Sequence, residues 1–196
     1  MLHTLFVFAT IDEAAPTIQA LQGKESIPGE LWWCKRGKIL VTGMGSVQAA
    51  TQVIRHLNNS NQIINAGIAA ALKPYQIGDI FTVGDIGKQI DLTTLNTSSH
   101  QLVKKVFPIL TTQSAGARLL TIDFPLHNKA LKQQLALQWD LVDMEGYGIA
   151  TAAKAANVPL SIVKAVSDFA QEESKALIQQ QIHTLAQQLA HYLKAF

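Results

Sequence analysis

Residues 38–69 read KILVTGMGSVQAATQVIRHLNNSNQIINAGIA. An apolar run, Lys38–Thr42, stops at Gly43 and Gly45. The following stretch, Ser46–Leu57, puts Val47, Ala50, Val53, Ile54 and Leu57 on one face at helical spacing. A polar tract then leads into a second apolar run, Asn61–Ala69. Strand, helix and strand in this order predict an α/β layer structure rather than an all-helical or all-strand one.

The same alternation extends in both directions. Upstream, Leu2–Ala9 predicts a buried strand, and Asp12–Leu21 a short helix with Pro16 tolerable only in its first turn. Glu30–Gly43 predicts a hairpin turning at Lys35-Arg36-Gly37. Downstream, Ile77–Asp85, Ala117–Ile122 and Pro159–Asp168 predict strands, while His127–Leu137 and Glu145–Ala156 predict helices. The last segment, Glu173–Phe196, carries Ile178, Ile182, Leu185, Leu189 and Tyr192 at steps of four and three. That spacing predicts an amphipathic helix packed on the sheet, with a Gln-rich outer face. The fold expected is a three-layer αβα sandwich around a central mixed sheet, as one domain over residues 1–196. Ligands of such folds sit at the carboxyl ends of the strands.

Composition excludes several classes. Of the 196 residues 48% are hydrophobic and 15% charged, with a formal net charge of +2. This suits a well-filled core and gives no basis for nucleic-acid binding. Cys34 is the only cysteine, which rules out an internal disulfide, and the six histidines show no zinc spacing. No metal and no cofactor are therefore expected. The amino terminus lacks a basic leader, and its apolar run is shorter than the ~20 residues that span a bilayer. A cytoplasmic protein without membrane association is the expectation.

Four strand ends carry unusual residues. Asp12 and Glu13 follow an apolar strand; acids are also welcome at a helix amino terminus. Gly43 and Gly45 allow close backbone approach to a ligand, or simply a turn. Gln48 stands where a dinucleotide fingerprint needs its third glycine, and no Gly-Lys-Ser/Thr follows. Glu145 precedes a helix face of Gly146, Gly148, Ala150, Ala152 and Ala153, small enough for close packing on the sheet. An acid desolvated there needs donors, which a sugar diol could supply, and Met144 offers an adaptable apolar surface. Asp168 closes a β-branched strand; with Gln171 three residues on, it also fits a helix cap.

Taken together, these stretches resemble the nucleosidase branch of the purine nucleoside phosphorylase superfamily. That branch includes the 5′-methylthioadenosine/S-adenosylhomocysteine nucleosidases and the futalosine hydrolases. TGMGSVQAA resembles the family's glycine loop, NAGIAAALKPYQIGDIFTVGD its central strands, VDMEGYGIA its Met-Glu segment and KAVSDFA its Ser-Asp segment. Ile68 stands where the methylthioadenosine nucleosidases have serine, Lys164 replaces a common arginine, and the stretch after Asp85 is shorter than usual.

The resemblance implies a homodimer that binds a purine nucleoside. It implies that Glu13 activates water, that Asp168, oriented by Ser167, protonates the leaving base, and that Glu145 holds the ribose. It further implies substrate contacts from Met144, Ile68, Gly45 and Phe124, the last against the base. The activity implied is hydrolysis of the N-ribosidic bond of futalosine or 6-amino-6-deoxyfutalosine, in service of menaquinone biosynthesis, or of methylthioadenosine or S-adenosylhomocysteine. The alternatives are a phosphate-dependent purine nucleoside phosphorylase and a non-catalytic purine-nucleoside binding protein.

Overall fold

The computed structural model describes residues 3–88, 110–112, 115–126, 128–171 and 174–195. Expected element ends at Leu2, His127, Glu173 and Phe196, and most of the stretch after Asp85, lie outside these residues. The strands are β1 (Thr4–Phe8), β2 (Lys24–Ile27), β3 (Leu31–Cys34), β4 (Gly37–Val41), β5 (Gln62–Ala71), β6 (Ile80–Lys88), β7 (Leu110–Thr111), β8 (Ala117–Thr121), β9 (Leu141–Asp143) and β10 (Leu160–Asp168). The helices are α1 (Ile11–Ala20), α2 (Ser46–His56), α3 (Lys129–Ala136), α4 (Gly146–Ala155) and α5 (Ser174–Leu193).

The sheet is mixed, as expected. β1 pairs in parallel with both β4 and β5, and β3 and β2 extend the edge antiparallel. Beyond β5 the strands curl into a ring: β5 pairs with β10, β10 with β6, β6 with β8, β8 with β9, and β9 returns to β5. β10 runs parallel to β5, whereas β9 runs antiparallel to β5 and parallel to β8, so Asp143 at the end of β9 lies beside the middle of β5 and β10 rather than at their ends. β1 alternates its side chains, with Leu5 and Val7 in one core cluster and Phe6 and Phe8 in the other. The first cluster lies under α2 and α4, the second under α1 and α5, so helices cover both faces. Among the described residues no helix is long and apolar enough to cross a membrane.

Three local expectations are corrected. Pro16 lies in the second turn of α1, because the helix starts at Ile11, capped by the Thr10 side chain. The buried face of α2 is Ser46, Ala49, Gln52 and Val53, while Val47 and Ile54 are exposed. The cause is α4: a Cβ at Gly148 would lie 1.9 Å from the Ser46 carbonyl oxygen. The small residues of α4 thus admit α2 at close range, rather than only the sheet, and select its small-residue face. Finally, Asp168 does not cap α5, since it ends β10 and the helix begins at Ser174. β2 escapes sequence reading because all four of its residues are exposed and no apolar alternation marks them. α5 buries Leu185 and Leu189 with Ala186, Ala190 and Leu193, and half-buries Ile178, Ile182 and Tyr192.

Candidate active site

Glu13 enters the site because α1 begins with a capping box. The Thr10 hydroxyl accepts from the Glu13 N–H (3.4 Å), and Glu13 Oε2 accepts from the Thr10 N–H (2.9 Å) and hydroxyl (3.0 Å). Its other oxygen accepts from the Ile68 N–H of β5 at 2.9 Å. Glu13 is buried, whereas its neighbour Asp12 is exposed, so helical phase separates the two acids. Gly67 makes the approach possible: a Cβ there would sit 2.7 Å from Glu13 Oε1.

Glu145 precedes α4 and reaches across to the glycine loop, where Oε1 accepts from the Gly45 N–H at 2.8 Å. Gly45 has φ +99°, a left-handed backbone that glycine adopts without strain. Asp143, two residues earlier, accepts from the Thr121 hydroxyl (2.7 Å), the Gly146 N–H (3.0 Å) and the Lys164 ammonium (2.8 Å). Burial opposes the charge of Lys164, yet Asp143, Glu145 and Glu13 together hold its pKa above the ordinary lysine value. Lys164 Nζ and Glu13 Oε1 flank the same point above Gly67, 3.6 Å and 2.7 Å from where its Cβ would be. Burial pushes the Glu145 carboxyl up to about 7, with Asp143 adding to the rise and Lys164 and the Gly45 N–H opposing it.

Asp168 is buried at the end of β10. Oδ1 accepts from the Ala170 N–H (2.8 Å) and the Ser174 hydroxyl (2.5 Å), and Oδ2 lies 2.7 Å from the Ser167 hydroxyl. Ser167 also lies 3.3 Å from the Ala69 carbonyl. A serine has one proton. Ser167 can give it either to Asp168 Oδ2 or to the Ala69 carbonyl. Glu13 and Ser167, the residue before Asp168, therefore bond to successive residues of β5, Ile68 and Ala69. Glu145 joins Glu13 through the charge of Lys164.

Glu13, Glu145 and Asp168 are all buried; Glu13 and Glu145 lie within electrostatic reach of each other and of Lys164, and Asp168 stands four residues beyond Lys164 on β10. Gly45, Ile68 and Ser167 are in direct hydrogen-bond contact with them. Met144 and Phe124 are half-buried, one beside Glu145 and the other in the segment after β8. That segment is tied to the glycine loop, as Asp123 Oδ1 accepts from the Ser46 hydroxyl (3.1 Å) and from Lys88 (2.8 Å). Sequence reasoning missed Asp143 and Lys164 as a buried pair, and Ser174 as a partner of Asp168. An interior strand carrying a lysine was the available signal for the first. Among the described residues no group of three or more His, Cys, Asp and Glu side chains could hold a metal ion.

Glu145 yields a pH prediction. Its native pKa of about 7 lies above its ordinary 4.5. Between those values the native state retains a proton that the unfolded chain releases, so stability falls as pH rises. Glu145→Gln should remove that part of the slope. Urea unfolding from pH 5 to 8 should favour the variant increasingly over the wild type; parallel profiles would show that Glu145 ionises without penalty.

The fold is similar to that of solved nucleosidases. The phosphorylase superfamily's own model matches residues 117–196, the part that contains Glu145 and Asp168. Solved structures match the chain throughout. A futalosine hydrolase mutant of Helicobacter pylori superposes with a TM-score of 0.83 at 17% identity, over 99% of this chain and 97% of that one. A mutant of the Helicobacter pylori MTAN, with 5′-methylthioadenosine in its active site, gives 0.83 at 16% identity, over 100% and 97%. The apo 5′-methylthioadenosine nucleosidase of Arabidopsis thaliana gives 0.81 at 20% identity, over 100% and 94%. No curated protein matches the sequence.

Proposed function

We propose that this protein is a nucleosidase, hydrolysing the N-ribosidic bond of a 5′-substituted purine nucleoside. What supports this reading is the burial of three carboxyl groups, Glu13, Glu145 and Asp168, the first two in electrostatic reach of Lys164 and the third on the same strand as that lysine. Ribosidic cleavage builds positive charge on the sugar and negative charge on the base, and acid and base carboxyls on opposite sides of the scissile bond serve both. Asp168 gives its proton to a ring nitrogen of the purine as the C–N bond breaks. Glu13 takes a proton from the water whose oxygen bonds to the sugar carbon. Glu145 accepts from the ribose hydroxyls; these donors favour its charged form and offset the burial that raises its pKa. Its negative charge then stabilises the cationic sugar. Met144, Ile68 and Phe124 supply the apolar contacts, Phe124 against the base.

Water is favoured over phosphate as nucleophile because the three arginines are engaged elsewhere. Arg36 donates to the Leu193 carbonyl and lies over Phe6, Arg55 donates to Gln52, and Arg118 lies over Trp139. Lys88, beside the glycine loop, is paired with Asp123. The substrates we favour are futalosine and 6-amino-6-deoxyfutalosine, with methylthioadenosine and S-adenosylhomocysteine as further candidates; cleavage of the first two would serve menaquinone biosynthesis. Incubation with each, with and without phosphate, followed by chromatography of the free base, tests the proposal. Release that requires phosphate would make it a phosphorylase; tight binding without release would make it a binding protein.

We further propose a cytoplasmic homodimer. Met44, Val47 and Ile54 are exposed at helical spacing along the outer face of α2 and its leading loop, beside Gly45. Apolar side chains aligned next to a site suit a protein contact better than water. Val47→Asp with Ile54→Asp should convert a sedimenting dimer to a monomer; an unchanged sedimentation coefficient would remove this face from the interface.

A further inference from the structure

Lys132 of α3 has no part in the chemistry above, yet it reaches the end of β10. Its ammonium donates to the Phe169 carbonyl, one residue beyond Asp168, and lies 6.0 Å from the Phe169 ring centroid. Burial lowers its pKa, while the Asp168 charge raises it, so the two groups are electrostatic neighbours. Leu131 and Leu126 pack with Ala170, which fixes α3 and the segment after β8 against this corner.

The geometry places mainly donors around Asp168. Both of its oxygens already engage the Ala170 N–H and the hydroxyls of Ser174 and Ser167. A lysine ammonium adds three donors and no acceptor. On a purine the imidazole nitrogen not bonded to ribose is N7, and it shares one edge with the substituent at position 6. That edge presents two acceptors, N7 and O6, in a 6-oxopurine, but an acceptor and an amino donor in a 6-aminopurine. A carboxyl group that protonates N7 therefore brings position 6 toward its own neighbours.

We propose that Lys132 selects 6-oxopurine nucleosides over their 6-amino counterparts, its ammonium moving from the Phe169 carbonyl to O6 of the base that Asp168 protonates. This rests on the nucleosidase reading. As the bond to ribose breaks, the electron pair passes to the base, and in a 6-oxopurine part of that charge resides on O6, next to the cation. An amino group at position 6 meets donor against donor.

The test uses pairs that differ only at position 6: futalosine against 6-amino-6-deoxyfutalosine, and 5′-methylthioinosine against 5′-methylthioadenosine. The wild type should show the higher kcat/KM on the 6-oxo member of each pair. Lys132→Met should reduce that ratio by about tenfold, the size expected for one charge-assisted hydrogen bond, and Lys132→Arg should retain most of it. Equal losses on both members, or an unchanged ratio, would overturn the proposal, since a merely structural lysine cannot discriminate at position 6. Calorimetric titration with free hypoxanthine and adenine reads the same preference without turnover. A chain that cleaves none of the nucleosides would refute the nucleosidase reading, while the base titration would still decide the role of Lys132.

Discussion

On the proposed mechanism, Asp168→Asn should lower kcat for base release by about 10²–10⁴-fold, the usual contribution of a positioned general acid, and leave substrate binding nearly unchanged. The substitution is close to isosteric. The amide oxygen can accept from the Ala170 N–H and Ser174 hydroxyl, as Oδ1 does now. The amide nitrogen then faces Ser167, which can accept from it and donate to the Ala69 carbonyl. The melting temperature should accordingly move little, so a fall in turnover reports chemistry and not unfolding. Pre-steady-state base release combined with calorimetric binding separates the two. Normal turnover with weakened binding would assign Asp168 to recognition and leave the departing base without its acid.

The largest stability effect should come from Lys164→Met. Lys164 is fully buried and its ammonium holds Asp143, with Glu145 and Glu13 in electrostatic reach. Removing it leaves several carboxyl groups around an apolar side chain, and breaking one partner out of a buried pair costs about 3–5 kcal/mol. A typical domain has only about 5–15 kcal/mol to lose. Urea denaturation of the variant should show that loss at neutral pH and a smaller one near pH 5, where Glu145 is protonated. The double variant Lys164→Met with Asp143→Asn should recover a large part of it, because the second change removes the orphaned charge. A single variant as stable as the wild type would mean that the carboxyl groups relax into solvent without the ammonium.

Much of this molecule was legible before folding was considered. The alternation of apolar strands with helices specified a mixed α/β sheet with helices on both faces, and strand ends drew attention to Glu13, Glu145 and Asp168. What failed was phase. Val47 and Ile54 fit an apolar helical face as well as Ala49 and Val53 do, and only the close contact at Gly148 chooses between them. Pro16 was expected in the first turn, yet α1 runs from Ile11 behind the Thr10 cap and carries it in the second.

Local patterning determined which elements form, because burial of one face repeats at 2 or 3.6 residues and is written into neighbouring positions. It also nominated the acids, because charge is costly beside apolar strands and stands out there. Only the tertiary structure decided that β5 meets both β9 and β10 in a ring, and that Ile68 and Ala69 hold Glu13 and Ser167. Only it paired Lys164 with Asp143 and set Lys132 on the Phe169 carbonyl, one residue past Asp168. Those contacts join residues up to 98 positions apart, and no spacing along the chain encodes an electrostatic partner that arrives through a different strand.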